Sequence, residues 1–268
     1  MWIEAYKRIL PRISEVTRSV EGHLTIREAK FLALVAACPT ARGVILEIGS
    51  FKGRSTVILC LGKSIHDQNP LVSIDPLTSP SPTDPDLKGM PHTAEDFYMT
   101  LERYGVKEQV EFNQCLSHEV AKDWNNRPIR FLWIDGDHTY RGVKLDFDNF
   151  SPYLADGAII ALHDILIGYE GPIRVFMEDI LLSENFCAAG LWGSIGWAQY
   201  RREEKADAYH QKQKSKLYKR LAPLVPLYVY KDRYSSKLSH LKYRVLRART
   251  PHRGINPANW IKRVKILC

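Results

Sequence analysis

The sequence predicts a doubly wound α/β fold built on a mostly parallel sheet. Three observations point to it: short β-branched runs alternate with longer amphipathic stretches, a glycine loop follows the first run, and two later runs end in acids and histidines. Ahead of the sheet, Ile3, Tyr6, Ile9 and Leu10 recur at helical spacing. Thr25-Ile-Arg-Glu28 reads as a capping box that starts a second helix through Phe31, Leu32 and Val35. Residues 1–42 are therefore expected to be N-terminal helices. Strands are expected at Val44–Ile48, Leu71–Asp75, Gln109–Asn113, Arg130–Asp135 and Ala158–Leu162. Helices are expected near Ser55–Leu61, Thr93–Tyr104, Ser117–Trp124 and Arg141–Phe150. Parallel strands need such crossovers. Pro172–Leu182 reads as a further helix, followed by strands at Asn185–Leu191 and Ser194–Tyr200. The Pro/Ser/Asp-rich stretch Pro76–Pro91 is too long for a plain turn and reads as a lid.

Composition narrows the class. A chain of 268 residues with 45% hydrophobic content carries an ordinary core, which excludes disorder throughout. No apolar run approaches the roughly 20 residues that cross a bilayer, and the start MWIEAYKRILPRI lacks the pattern of a secretory signal. Cys38, Cys60, Cys115, Cys187 and Cys268 are scattered and form no CxxC, which fits a reduced, cytoplasmic protein without structural zinc.

The net charge of +8 hides a division after Tyr200. Residues 201–268 hold 19 Lys and Arg against four acids, a net of +15, so the preceding 200 residues carry a net of −7. Residues 1–200 are expected to form the main domain and 201–268 a basic, helical tail. Leu217, Leu221, Leu224 and Tyr228 fall at helical spacing, as do Leu238, Leu241 and Val245, while Pro223 and Pro226 break the first stripe. These apolar residues either pack on the main domain or a second subunit of a homo-oligomer, or they meet an anionic partner. A peripheral contact at the inner membrane surface ranks ahead of nucleic acid, since no zinc-finger or RNP-like pattern accompanies the charge.

The loop Leu46-Glu-Ile-Gly-Ser-Phe-Lys-Gly-Arg-Ser-Thr56 leads from an apolar strand into an apolar helix. Gly49 and Gly53 let the backbone turn sharply beside a ligand, Ser50 lies between them, and Ser55 or Thr56 supplies helix-start hydrogen bonds. Glu47 places a carboxylate at the strand end. The loop is neither GxGxxG nor GxxxxGK[ST], which weakens the nicotinamide and nucleotide-triphosphatase readings. Asp75 ends the second strand, a position from which an acid bonds ribose hydroxyls in this topology.

EIGSFKGRST with Asp75, FLWIDGDHTY and AIIALHD, in that order, resembles class I S-adenosylmethionine-dependent methyltransferases, in particular the metal-dependent O-methyltransferases related to macrocin and catechol O-methyltransferases. The similarity spans roughly Gly22–Tyr200. It implies a Rossmann-like sheet of seven strands with the last antiparallel. It also implies that Glu47, Gly49 and Gly53 line the methionine end of the cofactor, that Asp75 holds its ribose, and that Ser117 and His118 lie near its adenine. Ser50, Ser55 and Asp135 complete the expected cofactor set.

Two strands end in Asp135-Gly-Asp-His138 and in His163-Asp164. As neighbouring parallel strands they would bring Asp135 to His163 or Asp164 over one opening. Asp135, His163 and Asp164 are the expected metal ligands. The oxygen donors suit Mg²⁺, whereas the imidazole favours Mn²⁺, Fe²⁺ or Zn²⁺. His138 lies where the catechol-type enzymes have their basic residue and macrocin-type enzymes a histidine, and it is the candidate general base.

The implied reaction is in-line transfer of a sulfonium methyl to an oxygen, in a dry site bounded by Trp133, Tyr140 and the Pro76–Pro91 loop. The expected acceptor is a sugar or other small polyhydroxylated molecule, with a lipid-linked glycan as the form a membrane-bound enzyme would meet. Two rival readings are a nucleic-acid methyltransferase that grips phosphates with its tail and a noncatalytic protein that keeps the cofactor fold for scaffolding.

Overall fold

The computed structural model describes residues 2–66, 69–78, 93–229, 236–250 and 257–264. Helices α1 (Trp2–Ser19) and α2 (Ile26–Ala37) precede β1 (Val44–Ile48). The order then runs α3 (Arg54–Lys63), β2 (Leu71–Ile74), α4 (Ala94–Tyr104), β3 (Val110–Asn113), α5 (Ser117–Lys122), β4 (Ile129–Ile134), α6 (Tyr140–Phe150) and β5 (Leu154–Leu162). After β5 come α7 (Glu170–Val175), β6 (Phe186–Trp192) and β7 (Ile195–Tyr200). The predicted helix over Pro172–Leu182 is α7 continued by a wider π turn over Phe176–Leu181.

The seven strands lie in the order β3-β2-β1-β4-β5-β7-β6. β1 through β5 run parallel, and β7 runs antiparallel to both β5 and β6. The chain starts near the middle and winds outward both ways, so the connections after β1 and β4 diverge and open a crevice at their carboxyl ends. This is the expected Rossmann-like, doubly wound sheet. The Thr25–Glu28 capping box is also present: Thr25 accepts from the Glu28 amide, and Glu28 accepts from the Thr25 amide at 2.9 Å.

Strand alternation divides the core between two faces. On β4, Phe131 and Trp133 join Phe31 and Trp197 beneath α1–α3, whereas Leu132 and Ile134 join Phe150, Ile160 and Phe176 on the opposite face. Trp133 is fully buried in this packing and does not border the cavity, contrary to expectation.

Among its described residues the basic tail is mostly helical, with α8 (Ala208–Leu221), α9 (Val225–Val229), α10 (Lys237–Arg249) and α11 (Pro257–Ile261). Pro223 falls in a short 3₁₀ turn between α8 and α9, which interrupts the helix there. Leu217, Leu221, Leu224 and Tyr228 pack on the second face of the sheet, and Trp260 packs on the first, 4.6 Å from Trp197 and 5.5 Å from Phe31 between ring centroids. These tail residues are built into both cores. Among the described residues no helix is long and apolar enough to cross a membrane.

Candidate active site

A cavity of about 570 Å³ opens at the carboxyl ends of β1, β2 and β4. Its floor is the turn after β1. Gly49 has φ 87°, and a Cβ there would lie 2.3 Å from the Asp135 carbonyl oxygen, so only glycine lets the two strand ends approach this closely. Asp75 holds the same turn from β2. Its Oδ2 accepts from the amides of Ser50 (2.7 Å) and Phe51 (2.9 Å), and its Oδ1 accepts from the Leu77 amide (2.8 Å). A carboxylate has about four acceptor directions, so Asp75 can bind the turn and still face a hydroxyl in the cavity.

Of the expected cofactor residues, Gly49, Ser50, Ser55, Asp75, Ser117, His118 and Asp135 line this cavity. Glu47 and Gly53 do not, and both expectations are corrected. Glu47 is wholly buried beneath the turn, where its Oε2 accepts from Thr56 (2.7 Å) and Ser73 (2.8 Å). Burial pushes its pKa up to about 7. It thus ties β1, β2 and α3 together below the ligand space. Gly53 caps α3 in the left-handed region and faces Phe97 and Thr100 of α4. The predicted lid Pro76–Pro91 lies outside the described residues beyond Thr78, of which Pro76 and Thr78 line the cavity.

The roof comes from the turn between α1 and α2, where Glu21, Gly22, His23 and Leu24 line the cavity. Arg54 fixes that turn, donating to the carbonyls of Val20 (2.7 Å) and Leu24 (2.9 Å). Lys52 reinforces it by pairing with Glu21 and with Asp96 of α4, each at 2.8 Å. The sequence reading passed over Arg54. Its signal was a long cation inside the loop itself, one residue before the predicted helix.

On the far wall, Ser117 donates to Asp146 of α6. Burial pushes the Asp146 carboxyl up to about 7, and the Ser117 bond only partly opposes this. Asp146 was also missed, because in sequence it is simply the polar member of an amphipathic helix.

The acid and histidine residues meet as the strand register requires. One oxygen or nitrogen each from Asp135, His138 and Asp164 lie within 4.8 Å of one another. His138 stacks on Tyr169 with ring centroids 4.2 Å apart, its Nε2 is 3.4 Å from Asp164 Oδ2, and neither ring nitrogen makes a hydrogen bond. Asp164 adopts φ 59°, an uncommon conformation for a residue other than glycine, which turns its carboxyl toward this group. Two carboxylates beside an unsatisfied imidazole nitrogen form a donor set that fits a divalent cation. Tyr169 closes the side of the cavity where Tyr140 was expected; Tyr140 instead bonds Glu178 at 3.1 Å and lies under Arg174.

His163 is not arranged as the expected metal ligand. It is almost wholly buried, with Nδ1 3.0 Å from Asp135 Oδ1 and 3.2 Å from Asp164 Oδ1, and Nε2 3.9 Å from Glu28 Oε2. Burial opposes its charge, but the carboxylates of Asp135 and Asp164 outweigh that and hold its pKa well above the usual imidazole value. Burial alone would raise the Glu28 pKa as well, but His163 and the Ser194 amide and hydroxyl hold that carboxyl far below its ordinary range. His163 therefore lies buried beneath the acids, whereas His138 is the imidazole grouped with Asp135 and Asp164 at the cavity.

Residues 46–165 match a family model described as a methyltransferase domain. The fold is similar to that of an O-methyltransferase from Bacillus cereus in complex with SAH (21% identity, 73% of this chain and 90% of that one, TM-score 0.50). It is also similar to the O-methyltransferase TomG from Streptomyces achromogenes, involved in tomaymycin synthesis, in complex with SAM (19% identity, 72% and 89%, TM-score 0.52). The O-methyltransferase NovP gives a TM-score of 0.58 at 12% identity, covering 75% and 98%. At these identities the likeness establishes the fold. Residues 46–165 thus resemble a methyltransferase domain, over the stretch that holds the three motifs.

Proposed function

We propose that the protein transfers a methyl group from S-adenosylmethionine to a hydroxyl of a small polyhydroxylated acceptor such as a sugar, with His138 as general base and a divalent cation held by Asp135 and Asp164. The single observation that carries this reading is the convergence of Asp75, Asp135, His138 and Asp164 on one cavity under a methyltransferase-type glycine turn. The likeness to TomG, an O-methyltransferase involved in tomaymycin synthesis, supports a small acceptor.

S-adenosylmethionine supplies an electrophilic methyl on a sulfonium, and a divalent cation at Asp135 and Asp164 supplies Lewis acidity toward the acceptor oxygen. The protein does the rest. Gly49 and Ser50 present backbone to the cofactor, Asp75 accepts from its ribose hydroxyls, and Ser117 and His118 border its adenine end. His138 takes the acceptor proton at Nδ1 while an Nε2 proton faces Asp164 Oδ2, and Tyr169 keeps the ring in plane. The roof held by Arg54 excludes water on the side of Glu21–Leu24.

Calorimetry with S-adenosylmethionine and S-adenosylhomocysteine, with and without Mg²⁺ or Mn²⁺, tests cofactor and metal together on wild type and Asp135→Ala. Saturable cofactor binding and metal-dependent methylation of hydroxylated acceptors support the reading. Binding without turnover across a broad acceptor panel would favour a scaffold, and methyl incorporation into RNA would favour a nucleic-acid enzyme. Metal titration of His138→Ala separates its roles: unchanged metal affinity with lost turnover keeps it as base, and weakened affinity makes it a ligand.

A further inference from the structure

Helix α10 carries an apolar stripe that the fold leaves uncovered. Leu238, Leu241 and Val245 are 75%, 55% and 42% exposed, and at 100° per residue they fall within roughly 60° of one another around the helix. Tyr243 points the opposite way, is buried, and donates to the Leu166 carbonyl at 2.8 Å. The helix is thus anchored by one face and presents the other to solvent. Its cations are Lys237, Lys242, Arg244, Arg247 and Arg249, and it has no acid. On the helical projection Lys242 and Arg249 flank the stripe on one side and Lys237 and Arg244 on the other.

We propose that α10 is an interfacial helix that docks the protein on an anionic lipid bilayer, with Leu238, Leu241 and Val245 entering the acyl boundary and the flanking cations meeting lipid phosphates. An apolar stripe between two basic margins matches the layering of a bilayer surface, where apolar chains lie below a negative headgroup plane. Nucleic acid would use the cations and leave the three aliphatic side chains in water. A second copy meeting it helix to helix would bring like charges together, which repel. The anchor also gives the site a consequence. Leu166 immediately precedes Ile167, which lines the cavity together with Asp164 and Tyr169, so the lipid-bound helix would sit against the loop that borders the proposed base.

The test is co-sedimentation of the full chain with vesicles of phosphatidylcholine alone and with about a third phosphatidylglycerol, at several salt concentrations. Wild type is expected to bind the anionic vesicles at least about tenfold more tightly than the neutral ones. L238S/L241S/V245S, which keeps every charge, is expected to lose at least about tenfold of that binding, and K242E/R244E/R249E to lose it as well. Circular dichroism and S-adenosylhomocysteine binding check that both variants remain folded. The proposal is overturned if the serine variant binds as wild type does, since the attraction is then charge alone. It is equally overturned if wild type ignores the vesicles and binds RNA, or if wild type ignores them and self-associates in solution until the stripe is replaced. None of these readouts needs methyl transfer, so failure here and failure of the proposed activity are distinguishable.

Discussion

Nδ1 of His163 lies 3.0 Å from Oδ1 of Asp135, closed off from solvent beneath the cavity floor. That contact sets the His163 ring among acids whose charges raise its pKa. His163→Ala would leave Asp135, Asp164 and Glu28 facing one another with no cation between them. The expected loss is about 3–5 kcal/mol of folding stability at neutral pH, read by denaturant unfolding. A loss below about 1 kcal/mol would show that the acids reorganise without it.

His138 has a narrower role. His138→Asn removes the proton acceptor without enlarging the core, so kcat should fall by about 10²–10⁴-fold while S-adenosylhomocysteine affinity stays within about threefold. Single-turnover kinetics and calorimetry on the same preparation read the two effects separately.

Asp75 both builds the turn and faces the ligand. Asp75→Ala leaves the amides of Ser50, Phe51 and Leu77 without their acceptor, so cofactor affinity should drop at least about tenfold with a stability loss of about 1–3 kcal/mol. Asp75→Asn, which restores an acceptor to part of the turn, should recover stability more than affinity. Equal recovery of both would confine Asp75 to the turn.

The two glycines of the loop should separate cleanly. Both have φ near 85°, so alanine costs about 1–2 kcal/mol at either position. At Gly49 the added carbon also meets the Asp135 backbone at 2.3 Å, whereas at Gly53 it meets the Phe97 ring at 3.3 Å. Gly49→Ala should therefore lower Tm further than Gly53→Ala and should also impair cofactor binding, measured by thermal shift with and without S-adenosylhomocysteine.

Asp146 gives a pH signature. Its carboxyl titrates near 7 in the folded protein and near 4 when unfolded, so the native state holds the extra proton between those values. Stability from this group falls as pH rises through that window and levels off above about 7. Asp146→Asn keeps an acceptor for Ser117 and has no proton to lose. Its Tm should rise relative to wild type between pH 5 and pH 8, and parallel curves would refute the shift.

Much of this architecture was legible in the sequence because the sheet is built from short runs whose order and spacing allow few topologies. The capping box at Thr25 and the strand-end positions of Asp75, Asp135 and Asp164 followed from local pattern. The placing of His163 beneath the site did not. Which imidazole faces the cavity depends on what lies behind the strand, where Glu28 faces His163 and is itself held by Ser194, both from distant parts of the chain. Glu47 misled for a related reason. Its position beside the turn was right, but Thr56 and Ser73 draw its carboxyl under the sheet edge. The sequence shows Arg54 as a long cation in the loop but not its task, because its partners are backbone carbonyls, which carry no mark in the sequence.

The seating of Trp260 against Trp197 and Phe31 bears on how the molecule is made. A ribosome emits residue 31 long before residue 260, so the pocket among these rings stays open until the late segment emerges from the exit tunnel. Nascent chains halted near residue 200 should be held by chaperones and cut by proteases at sites that the finished protein hides. Shortening the gene to remove the cationic region would reproduce that immature state, and any loss of activity would then report incomplete folding.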